Sequence, residues 1–240
     1  MTKKEEAARK REERLQRERQ RVADMRSCEQ EAMCTALGVE SLPEGFLICG
    51  IDEAGRGPLA GPVAAGACIL PTDHDILYLN DSKKLSAKKR EELYEILTGE
   101  ALAWSVGLAE PERIDEINIL QGTYEAMRKA IAGLGEAAGI RPDGLVNDAV
   151  TIPGVGLIQA PMIKADARCL SVAAASILAK VTRDRLMEEY DRLYPEYGFA
   201  ANKGYGTRAH IEALKQYGPC PIHRRSFITH FVSDPGRGEV

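Results

Sequence analysis

No long hydrophobic run occurs in this sequence, and that absence limits the class of protein. None of the apolar stretches in the 240 residues approaches the ~20 residues that a membrane-spanning helix needs. The first residues are charged and no apolar segment follows them, so no secretory signal is expected. The arginines of this region are mixed with glutamates, whereas mitochondrial transit peptides avoid acidic residues. We therefore predict a cytoplasmic protein that does not contact a membrane.

Paired metal-binding cysteines are also absent. The chain has six cysteines, none of which forms a CxxC pair. Cys220 and His223 are close in sequence, but no second ligand pair accompanies them, and structural zinc sites use paired spacings. A zinc site is not expected, and we predict reduced thiols, several of them in the core.

The chain lacks the strong positive charge of many nucleic-acid-binding proteins, because its net charge is −4. Residues 1–21 carry nine Lys or Arg and five Glu, a balance of +4, which leaves −8 for the remainder. An acidic protein can still bind a polyanion if metal ions offset its carboxylates and its basic residues are clustered. Two such clusters are Lys83, Lys84, Lys88, Lys89 and Arg90, and Lys203, Arg208, Lys215, Arg224 and Arg225. Each could equally be a solvated surface.

From Phe46 onward, the order of apolar and amphipathic segments is typical of an α/β domain with a mixed sheet. The predicted strands lie at 46–52, 62–70, 101–109, 143–150 and 156–163. The predicted helices lie at 87–98, in two stretches between 111 and 138, at 168–192 and at 207–217. The first half of the helix at 168–192 is apolar nearly all round, which predicts burial against the sheet.

The first 44 residues differ from the remainder in composition. Their acid–base pairs at four-residue spacing favour a helix, but apolar residues are too sparse for a stripe that faces a core. We predict that 1–44 is a charged, exposed, helical or disordered extension that ends in a linker. The domain is predicted to span 45–232, with a flexible tail at 233–240.

Residues 46–57 are the most informative segment, because an apolar strand ends there in two adjacent carboxylates, Asp52 and Glu53. Buried carboxylates need neutralisation, and Mg²⁺ or Mn²⁺ is the usual partner of hard oxygen ligands. The Gly-Arg-Gly turn at 55–57 permits close backbone approach and offers an arginine suited to phosphate. Because adjacent strand residues point to opposite faces, the two carboxylates can share a site only if the strand ends at Glu53. These features suggest nucleic-acid chemistry.

Two further carboxylates, Asp148 and Asp166, follow apolar segments, which is where open α/β sheets have their sites. Each also has a structural interpretation, Asp148 in an ordinary turn and Asp166 in the first turn of a helix. Asp143 is the alternative to Asp148. Four carboxylates in one site repel one another unless cations intervene. Two divalent ions about 3.5–4 Å apart would offset that repulsion and support an in-line displacement at a phosphodiester.

Two polar segments offer contacts to nucleic acid. Residues 80–86 put two lysines and two hydroxyls before a helix N-terminus that Ser86 can cap, which is a natural anion site. In residues 202–210, Tyr205 stands between two glycines. An exposed ring there can stack on a sugar or base, and contact with a 2′-OH distinguishes RNA from DNA. The alternative is a loop tyrosine packed on the surface. Residues 221–227 add further cations.

Taken together, these stretches resemble bacterial ribonuclease HII, the type 2 ribonuclease H family. The matching stretches are GIDEAGRGPLAGP at 50–62, DSKKLS at 81–86, DEIN at 115–118, SVAAASILAKVTRDR at 171–185, YGFAANKGYGTRAH at 197–210 and HRRSF at 223–227. The resemblance implies a ribonuclease H-like α/β fold, with a mixed five-stranded sheet flanked by helices and a helical C-terminal portion. It also implies a metal-dependent endoribonuclease that hydrolyses the RNA strand of RNA–DNA hybrids. The implied enzyme also nicks DNA on the 5′ side of single ribonucleotides, leaving 5′-phosphate and 3′-hydroxyl ends.

The resemblance further implies roles for individual residues. The implied catalytic residues, which hold two Mg²⁺ or Mn²⁺ ions, are Asp52, Glu53, Asp148 and Asp166. The implied nucleic-acid-binding residues are Gly55, Arg56, Gly57, Ser82, Lys83, Lys84, Lys203, Tyr205 and Arg224. Among these, the Gly-Arg-Gly turn reads the junction between ribonucleotide and deoxyribonucleotide, and Tyr205 stacks at its ribose. Asp184 also lies in a matching stretch, but we expect it to form an ion pair on a helix surface.

The implied partners are RNA–DNA hybrids and duplex DNA that contains ribonucleotides, in primer removal and ribonucleotide excision. We expect a monomer, and no clamp-binding motif is evident after Phe231. Three alternatives remain open. They are another ribonuclease H-like nuclease such as a junction resolvase, a ribonuclease HIII, and a nucleic-acid-binding module with an inactive site. Ribonuclease HIII is disfavoured because it lacks the Gly-Arg-Gly turn.

Overall fold

The computed structural model of the chain describes residues 3–74 and 76–232, so the predicted tail at 233–240 lies outside the described residues. The strands are β1 (Ile48–Ala54), β2 (Val63–Ile69), β3 (Ala103–Ala109), β4 (Gly144–Asp148) and β5 (Ile158–Met162). The helices are α1 (Lys3–Leu37), α2 (Ala87–Glu100), α3 (Pro111–Ala138), α4 (Ala165–Arg168), α5 (Leu170–Leu193), α6 (Phe199–Asn202), α7 (Arg208–Tyr217) and α8 (Arg225–Ile228). Short 3-10 turns lie at Ser82–Lys84 and Pro195–Tyr197. Within the described ranges, every helix is too short or too polar to cross a lipid bilayer.

The five strands form one mixed sheet in the order β3-β2-β1-β4-β5, which confirms the predicted fold. β1, β2 and β3 pair antiparallel, while β4 lies parallel to both β1 and β5. The parallel pairing aligns Ile51 of β1 with Asn147 of β4. Consequently the carboxyl ends of β1 and β4 lie side by side at one edge of the sheet.

Helices cover both faces of the sheet. On one face, β2 and β3 pack against the apolar side of α3, and Ile51 of β1 and Met127 of α3 belong to the same buried cluster. On the other face lies the buried helix α5, as its apolar first half predicts. A Cβ atom at Gly50 would overlap the backbone of Ser171, and one at Gly66 would overlap that of Ala175. These two glycines therefore let α5 approach β1 and β2 closely.

The two predicted helical stretches between 111 and 138 are the two halves of α3. Asn118 interrupts the helix with a φ of +69° and a ψ of 165°. Its side-chain oxygen accepts hydrogen bonds from the backbone N–H groups of Leu120 and Gln121, at 3.0 and 3.1 Å. Asn118 thus ends the first half and caps the second.

The N-terminal segment is more closely integrated than the sequence indicated. It is helical, but the prediction of an exposed extension is wrong for its second half. Val22, Met25, Glu29 and Met33 form a buried stripe along α1, and Met33 packs against Val146 of β4. The prediction failed because this stripe is narrow and contains a glutamate, so it does not look apolar.

Polar contacts also join α1 to the loop that precedes the 3-10 turn at Ser82–Lys84. The Glu18 carboxylate accepts a hydrogen bond from the backbone N–H of Tyr78 at 2.6 Å. Arg21 donates to the carbonyl of Leu79 at 2.7 Å. The middle of α1 therefore holds the loop that leads toward the predicted phosphate-binding segment.

The C-terminal portion is helical, as the resemblance implied, but most of its helices are short. Tyr197, Phe199, Ala213, Cys220 and Ile222 form a separate small core with Met187 of α5. This core lies under the loops that carry Tyr205 and the Gly-Arg-Gly turn.

Candidate active site

The four predicted carboxylates lie at the same edge of the sheet. Asp52 and Glu53 stand near the end of β1, Asp148 ends β4, and Asp166 lies in α4 directly after β5. They are close enough to influence one another, since the pKa values of Asp52, Glu53 and Asp166 are raised first by burial and further by the charge of Asp148. Asp143 is excluded as the alternative to Asp148. It lies before the start of β4 and accepts a hydrogen bond from the backbone N–H of Leu47 at 2.8 Å.

Burial and mutual repulsion disfavour the ionised forms of Asp52, Glu53 and Asp166. Burial raises the pKa of Asp52 well above its usual range, and the charge of Glu53 raises it further. Hydrogen bonds from Ser176 and from the backbone N–H of Glu53 oppose that rise. Burial also raises the pKa of Glu53, and the nearby Arg56 guanidinium counteracts part of the effect. A cation in the site would stabilise the ionised forms.

β1 continues to Ala54, two residues beyond its predicted end and one beyond Glu53, so the Asp52 and Glu53 side chains point to opposite faces of the strand. Asp52 faces α5, where it meets Ser176. Glu53 turns to Arg56, whose guanidinium lies 3.3 Å from the Glu53 carboxylate. The two carboxylates adjoin the same site because Glu53 stands next to the turn, although the strand does not end there.

The chemistry of these ligands fits a hard divalent cation, because all four side chains offer carboxylate oxygens. Among residues 3–74 and 76–232, no three His, Cys, Asp or Glu side chains have already converged into a ligand cluster. Glu53 is engaged with Arg56, and an Asp148 oxygen accepts from the backbone N–H of Ala165 at 2.9 Å. Both carboxylates therefore already have partners within the protein.

A fifth carboxylate, Asp81, was not predicted to belong to this site. It lies beside Asp166, where burial is the largest cause of the raised pKa of Asp166 and the charge of Asp81 is the next, and a hydrogen bond between the two side chains adds to the rise. One Asp81 oxygen also accepts from the backbone N–H of Lys83 at 2.9 Å, which orders the 3-10 turn. The sequence signal was present, since Asp81 begins the stretch DSKKLS, but the lysines there drew attention to phosphate alone.

The lysines and serines of this stretch divide into two groups. Lys83 and Lys84 are exposed. Burial lowers the pKa of Lys83, but the charges of Asp52 and Asp81 raise it by more, so its ammonium lies in the field of the acidic site. Ser82, by contrast, is buried and shares a hydrogen bond of 2.8 Å with the Ser176 hydroxyl. The structure therefore does not support the predicted phosphate contact of the Ser82 side chain, whose hydroxyl supports the residue that bonds to Asp52.

The Gly-Arg-Gly turn has the backbone freedom that the sequence predicted. Gly55 has a φ of +92°, and a Cβ atom there would overlap the Arg183 side chain. Arg56 is exposed. Gly57 lies against the ring of Tyr205, whose nearest ring carbon would be 3.8 Å from a Cβ at Gly57. Tyr205 is 46% exposed, so its ring is accessible beside the turn.

The structure does not support the predicted contact of Arg224 with nucleic acid, because its side chain is fully buried. Its guanidinium donates to the carbonyls of Gly55, Arg56 and Gly61 at 2.6, 2.9 and 2.9 Å. Burial, followed by the nearby charge of Arg183, lowers the pKa of Arg224 to about 9. Arg224 therefore holds the Gly-Arg-Gly turn from beneath.

Arg183 has a similar position that the sequence analysis missed. It is buried and donates to the carbonyls of Ala60, Pro62 and Lys203 at 3.1, 2.9 and 2.9 Å. Neither Arg183 nor Arg224 forms an ion pair with a carboxylate in the described part of the chain. Two buried cations therefore lie beneath the loops that carry the turn and Tyr205.

Lys203 and Asp184 form ion pairs within the protein. The Lys203 ammonium lies 2.7 Å from a Glu188 carboxylate oxygen, so the predicted phosphate contact of Lys203 is not supported. Asp184 pairs with Lys180 at 2.7 Å along α5, which confirms its structural role.

Comparison with known proteins identifies relatives over most of the chain. The family profile "Ribonuclease HII" matches residues 49–230. A ribonuclease HII of Lachnoclostridium phytofermentans is 61% identical over 193 residues, which are 80% of this chain and 74% of that protein. The crystal structure of the ribonuclease H2 from Pyrococcus horikoshii OT3 is 33% identical, with a TM-score of 0.62, and covers 75% of this chain and 93% of its own. A ribonuclease HII of Archaeoglobus fulgidus, solved in complex with PCNA, is 27% identical, with a TM-score of 0.60, over 75% of this chain and 94% of its own.

Proposed function

The chain belongs to the ribonuclease HII family, and on this premise we propose that it nicks duplex DNA on the 5′ side of single embedded ribonucleotides with the help of two divalent cations. It is a ribonuclease H, an endonuclease that cuts the RNA strand of RNA–DNA hybrids. The proposal adds the narrower substrate, the metal ions and the residues that act on them. We also propose that the protein is a cytoplasmic monomer that functions in ribonucleotide excision and primer removal.

One observation carries the proposal. Four carboxylates lie near the carboxyl ends of β1, β4 and β5, directly beside a turn and an exposed tyrosine that are suited to a sugar–phosphate backbone. The acidic side supplies cation ligands, and the neighbouring side supplies contacts to a nucleic acid. A binding module has no need for four carboxylates next to a polyanion, because they would repel it.

In this proposal, Asp52, Glu53, Asp148 and Asp166 hold Mg²⁺ or Mn²⁺. Bound there, two such cations would activate water for attack on the phosphodiester and stabilise the departing 3′-oxygen. The carboxylates orient the cations, and Ser176 fixes Asp52 by a hydrogen bond. Lys83 remains protonated beside the carboxylates and binds a backbone phosphate next to the cleaved bond.

Recognition of the ribonucleotide falls to the turn and to Tyr205. The carbonyls of Gly55 and Arg56 face inward to Arg224, which supports the idea that the outer edge of the turn meets the substrate. The Tyr205 ring lies beside Gly57 and is exposed, so it can stack on the ribose at the junction. Contact of the turn with the 2′-OH would distinguish ribonucleotide from deoxyribonucleotide.

The decisive test is cleavage of a labelled DNA duplex that contains one ribonucleotide, with an all-DNA duplex and an RNA–DNA hybrid alongside. We expect one nick 5′ to the ribonucleotide in Mg²⁺ or Mn²⁺, no cut in the all-DNA duplex and no activity in EDTA. Cleavage of the hybrid without any nick at the single ribonucleotide would contradict the narrower proposal.

The metal site is tested by a matched pair of variants on the same strand. Asp148→Asn should reduce cleavage more than about 100-fold, because a cation ligand is lost where charge develops in the transition state. Asp143→Asn removes the same charge at the other end of β4 and should leave cleavage nearly unchanged. Equal activity of the two variants would refute the assignment of Asp148, and full activity of both would favour a different site.

A further inference from the structure

A series of hydrogen bonds through two buried histidines connects the Tyr205 loop to the C-terminal segment. The Nδ1 atom of His210 lies 2.9 Å from the Tyr205 carbonyl, and its Nε2 atom lies 3.0 Å from Nε2 of His223. The Nδ1 atom of His223 lies 3.0 Å from the backbone nitrogen of Cys220. Both imidazoles are buried, at 0% and 2% exposure.

The two ends of this series determine where each proton resides. A carbonyl can only accept, so His210 carries its proton on Nδ1, and its Nε2 is an acceptor when the ring is neutral. His223 must then donate from Nε2, which leaves its Nδ1 free to accept from the Cys220 backbone N–H. Every donor meets an acceptor in this one arrangement. Burial lowers the pKa of both histidines, that of His223 to about 4, in keeping with two neutral rings.

These histidines have neither a metal-binding nor a catalytic geometry. Cys220 and His210 lie on opposite nitrogens of the His223 ring, so the three groups cannot share one cation. Tyr197 and Phe199 pack against the imidazoles and cover them. Since neither ring is exposed, a substrate cannot reach them, and any effect on the reaction must pass through a neighbouring residue.

The residue at one end of the series is Tyr205, and the elements at the other end adjoin the Gly-Arg-Gly turn. His223 forms a β-bridge with Ala60, and the backbone N–H of Arg224 donates to the Leu59 carbonyl at 2.9 Å. Leu59 and Ala60 follow the turn in sequence, separated from it only by Pro58. The hydrogen bonds through His210 and His223 therefore link Leu59 and Ala60, which follow the turn, to the carbonyl of Tyr205.

We propose that His210 is a positioning residue that fixes Tyr205 beside the Gly-Arg-Gly turn, and so determines the preference for a single ribonucleotide over a continuous hybrid, while His223 sets the tautomer in which His210 donates to the Tyr205 carbonyl. This inference rests on the proposed function, in which Tyr205 stacks at the junction. Because His210 bonds to the backbone carbonyl of Tyr205, it sets the position and orientation of the ring relative to Gly57. A continuous hybrid offers many equivalent cleavage positions and depends less on the position of one ring.

Two substitutions at His210 each remove one end of the link. The amide nitrogen of Asn can take the place of Nδ1, so His210→Asn keeps the bond to the Tyr205 carbonyl and loses His223. The amide of Gln takes the place of Nε2, so His210→Gln keeps His223 and loses Tyr205. Each variant loses one of the two hydrogen bonds of the buried His210 ring. The two variants are therefore matched controls for each other in stability.

The measurement is kcat and KM on the single-ribonucleotide duplex and on a long hybrid, with Tm recorded for each variant. We expect His210→Gln to lower the ratio of junction to hybrid kcat/KM about tenfold, because displacing a binding group by an ångström can cost up to ~100-fold. His210→Asn should keep that ratio within about threefold of the wild type, although its Tm falls equally. Equal ratios in both variants would overturn the inference, since a purely structural role follows Tm alone.

Tyr205→Ala separates the failure of this inference from that of the proposed function. If His210 acts through the tyrosine ring, the double variant with His210→Gln should be no worse at the junction than Tyr205→Ala alone. A fully additive loss overturns the positioning role while leaving the proposed function intact. If Tyr205→Ala cleaves the junction at the wild-type rate, the reading role of Tyr205 is itself wrong, and the inference fails with it.

The proton positions can be checked in the wild-type protein even if a variant does not fold. Nitrogen-15 NMR of the imidazoles distinguishes the two neutral tautomers. We expect His210 protonated on Nδ1 and His223 protonated on Nε2. His210 protonated on Nε2 would leave its Nδ1 unable to donate to the Tyr205 carbonyl, and that result would overturn the inference.

Discussion

Asp52 combines two opposing requirements in a single residue. Its burial against α5 fixes the carboxylate by hydrogen bonds from Ser176 and the backbone of Glu53. The same burial, together with the charge of Glu53, raises its pKa and makes the ionised form costly. The group is therefore held rigidly in a state that becomes favourable when a cation binds.

This conflict predicts a stability effect that is separate from activity. In the metal-free protein at neutral pH, Asp52→Asn should raise the free energy of unfolding by about 1–2 kcal/mol, equivalent to a Tm increase of roughly 2–8 °C. Because the pKa of Asp52 is raised in the folded state, ionised Asp52 destabilises the wild type fully at pH values above the folded-state pKa. This destabilisation decreases as the pH falls and is absent below the unfolded-state pKa. Thermal unfolding with and without Mg²⁺ tests this, since Mg²⁺ should stabilise the wild type more than the variant. An Asn variant that is less stable than the metal-free wild type would contradict it.

Arg224 shows why the type of a residue does not reveal its role. The sequence indicates a cation near the C-terminus, but only the fold shows that its fork points to three carbonyls rather than to solvent. Arg224→Lys keeps the charge and cannot satisfy all three carbonyls. We expect a loss of about 2–3 kcal/mol of stability and a higher KM for the hybrid, because the turn is no longer held.

Arg208 provides the control for that substitution. Its side chain is 93% exposed, so Arg208→Lys should change neither Tm nor KM appreciably. Denaturant unfolding and steady-state kinetics on both variants give the comparison. An unchanged KM in Arg224→Lys would mean that the turn keeps its shape without the guanidinium fork.

At the level of elements, the strands and long helices of the domain were predictable, because each has a hydrophobic period that its own residues reveal. The five strands lie within a few residues of their predicted positions. That Asp52, Glu53, Asp148 and Asp166 lie at one edge of the sheet was predictable too, since each follows an apolar segment. What could not be predicted depends on contacts far apart in sequence. Examples are the buried stripe of α1, the inward orientation of Ser82, and the approach of Asp81 to Asp166.

The contact of α1 with α5 can be tested through Glu29. This buried carboxylate accepts from the backbone N–H and the hydroxyl of Ser171 at 3.0 and 2.7 Å, in the first turn of α5. Glu29→Ala should lower stability by about 2–3 kcal/mol, because two buried donors lose their acceptor at a helix N-terminus. Glu13→Ala, on the exposed part of the same helix, should change stability by less than about 0.5 kcal/mol. Equal effects in denaturant unfolding would mean that α1 is not anchored by this contact.

For the whole molecule, the distribution of charge matters more than its sum. The chain is acidic overall, yet it must bind a polyanion next to its own carboxylates. The residues that can offset this repulsion are those whose cations are free to meet phosphate. Lys83 is exposed and lies in the field of the acidic site, whereas the Lys203 ammonium is already paired with Glu188. Lys83 and Lys203, which were both predicted to bind nucleic acid, should therefore contribute differently to binding.

The salt dependence of binding measures that difference. Each phosphate contact releases counterions, so the slope of log K against log salt becomes shallower by about 1 when one contacting cation is removed. In an Asp148→Asn background, where the hybrid stays intact, Lys83→Ala should weaken binding and lower the slope by about 1. Lys203→Ala should leave the slope unchanged, because the Lys203 ammonium is paired with Glu188 and its removal breaks no phosphate contact. Binding titrations of a fluorescent hybrid between about 50 and 200 mM salt cover the useful range. If Lys203→Ala lowered the slope as much as Lys83→Ala, the pair with Glu188 would have to open on binding, and Lys203 would regain the phosphate contact that its sequence context suggests.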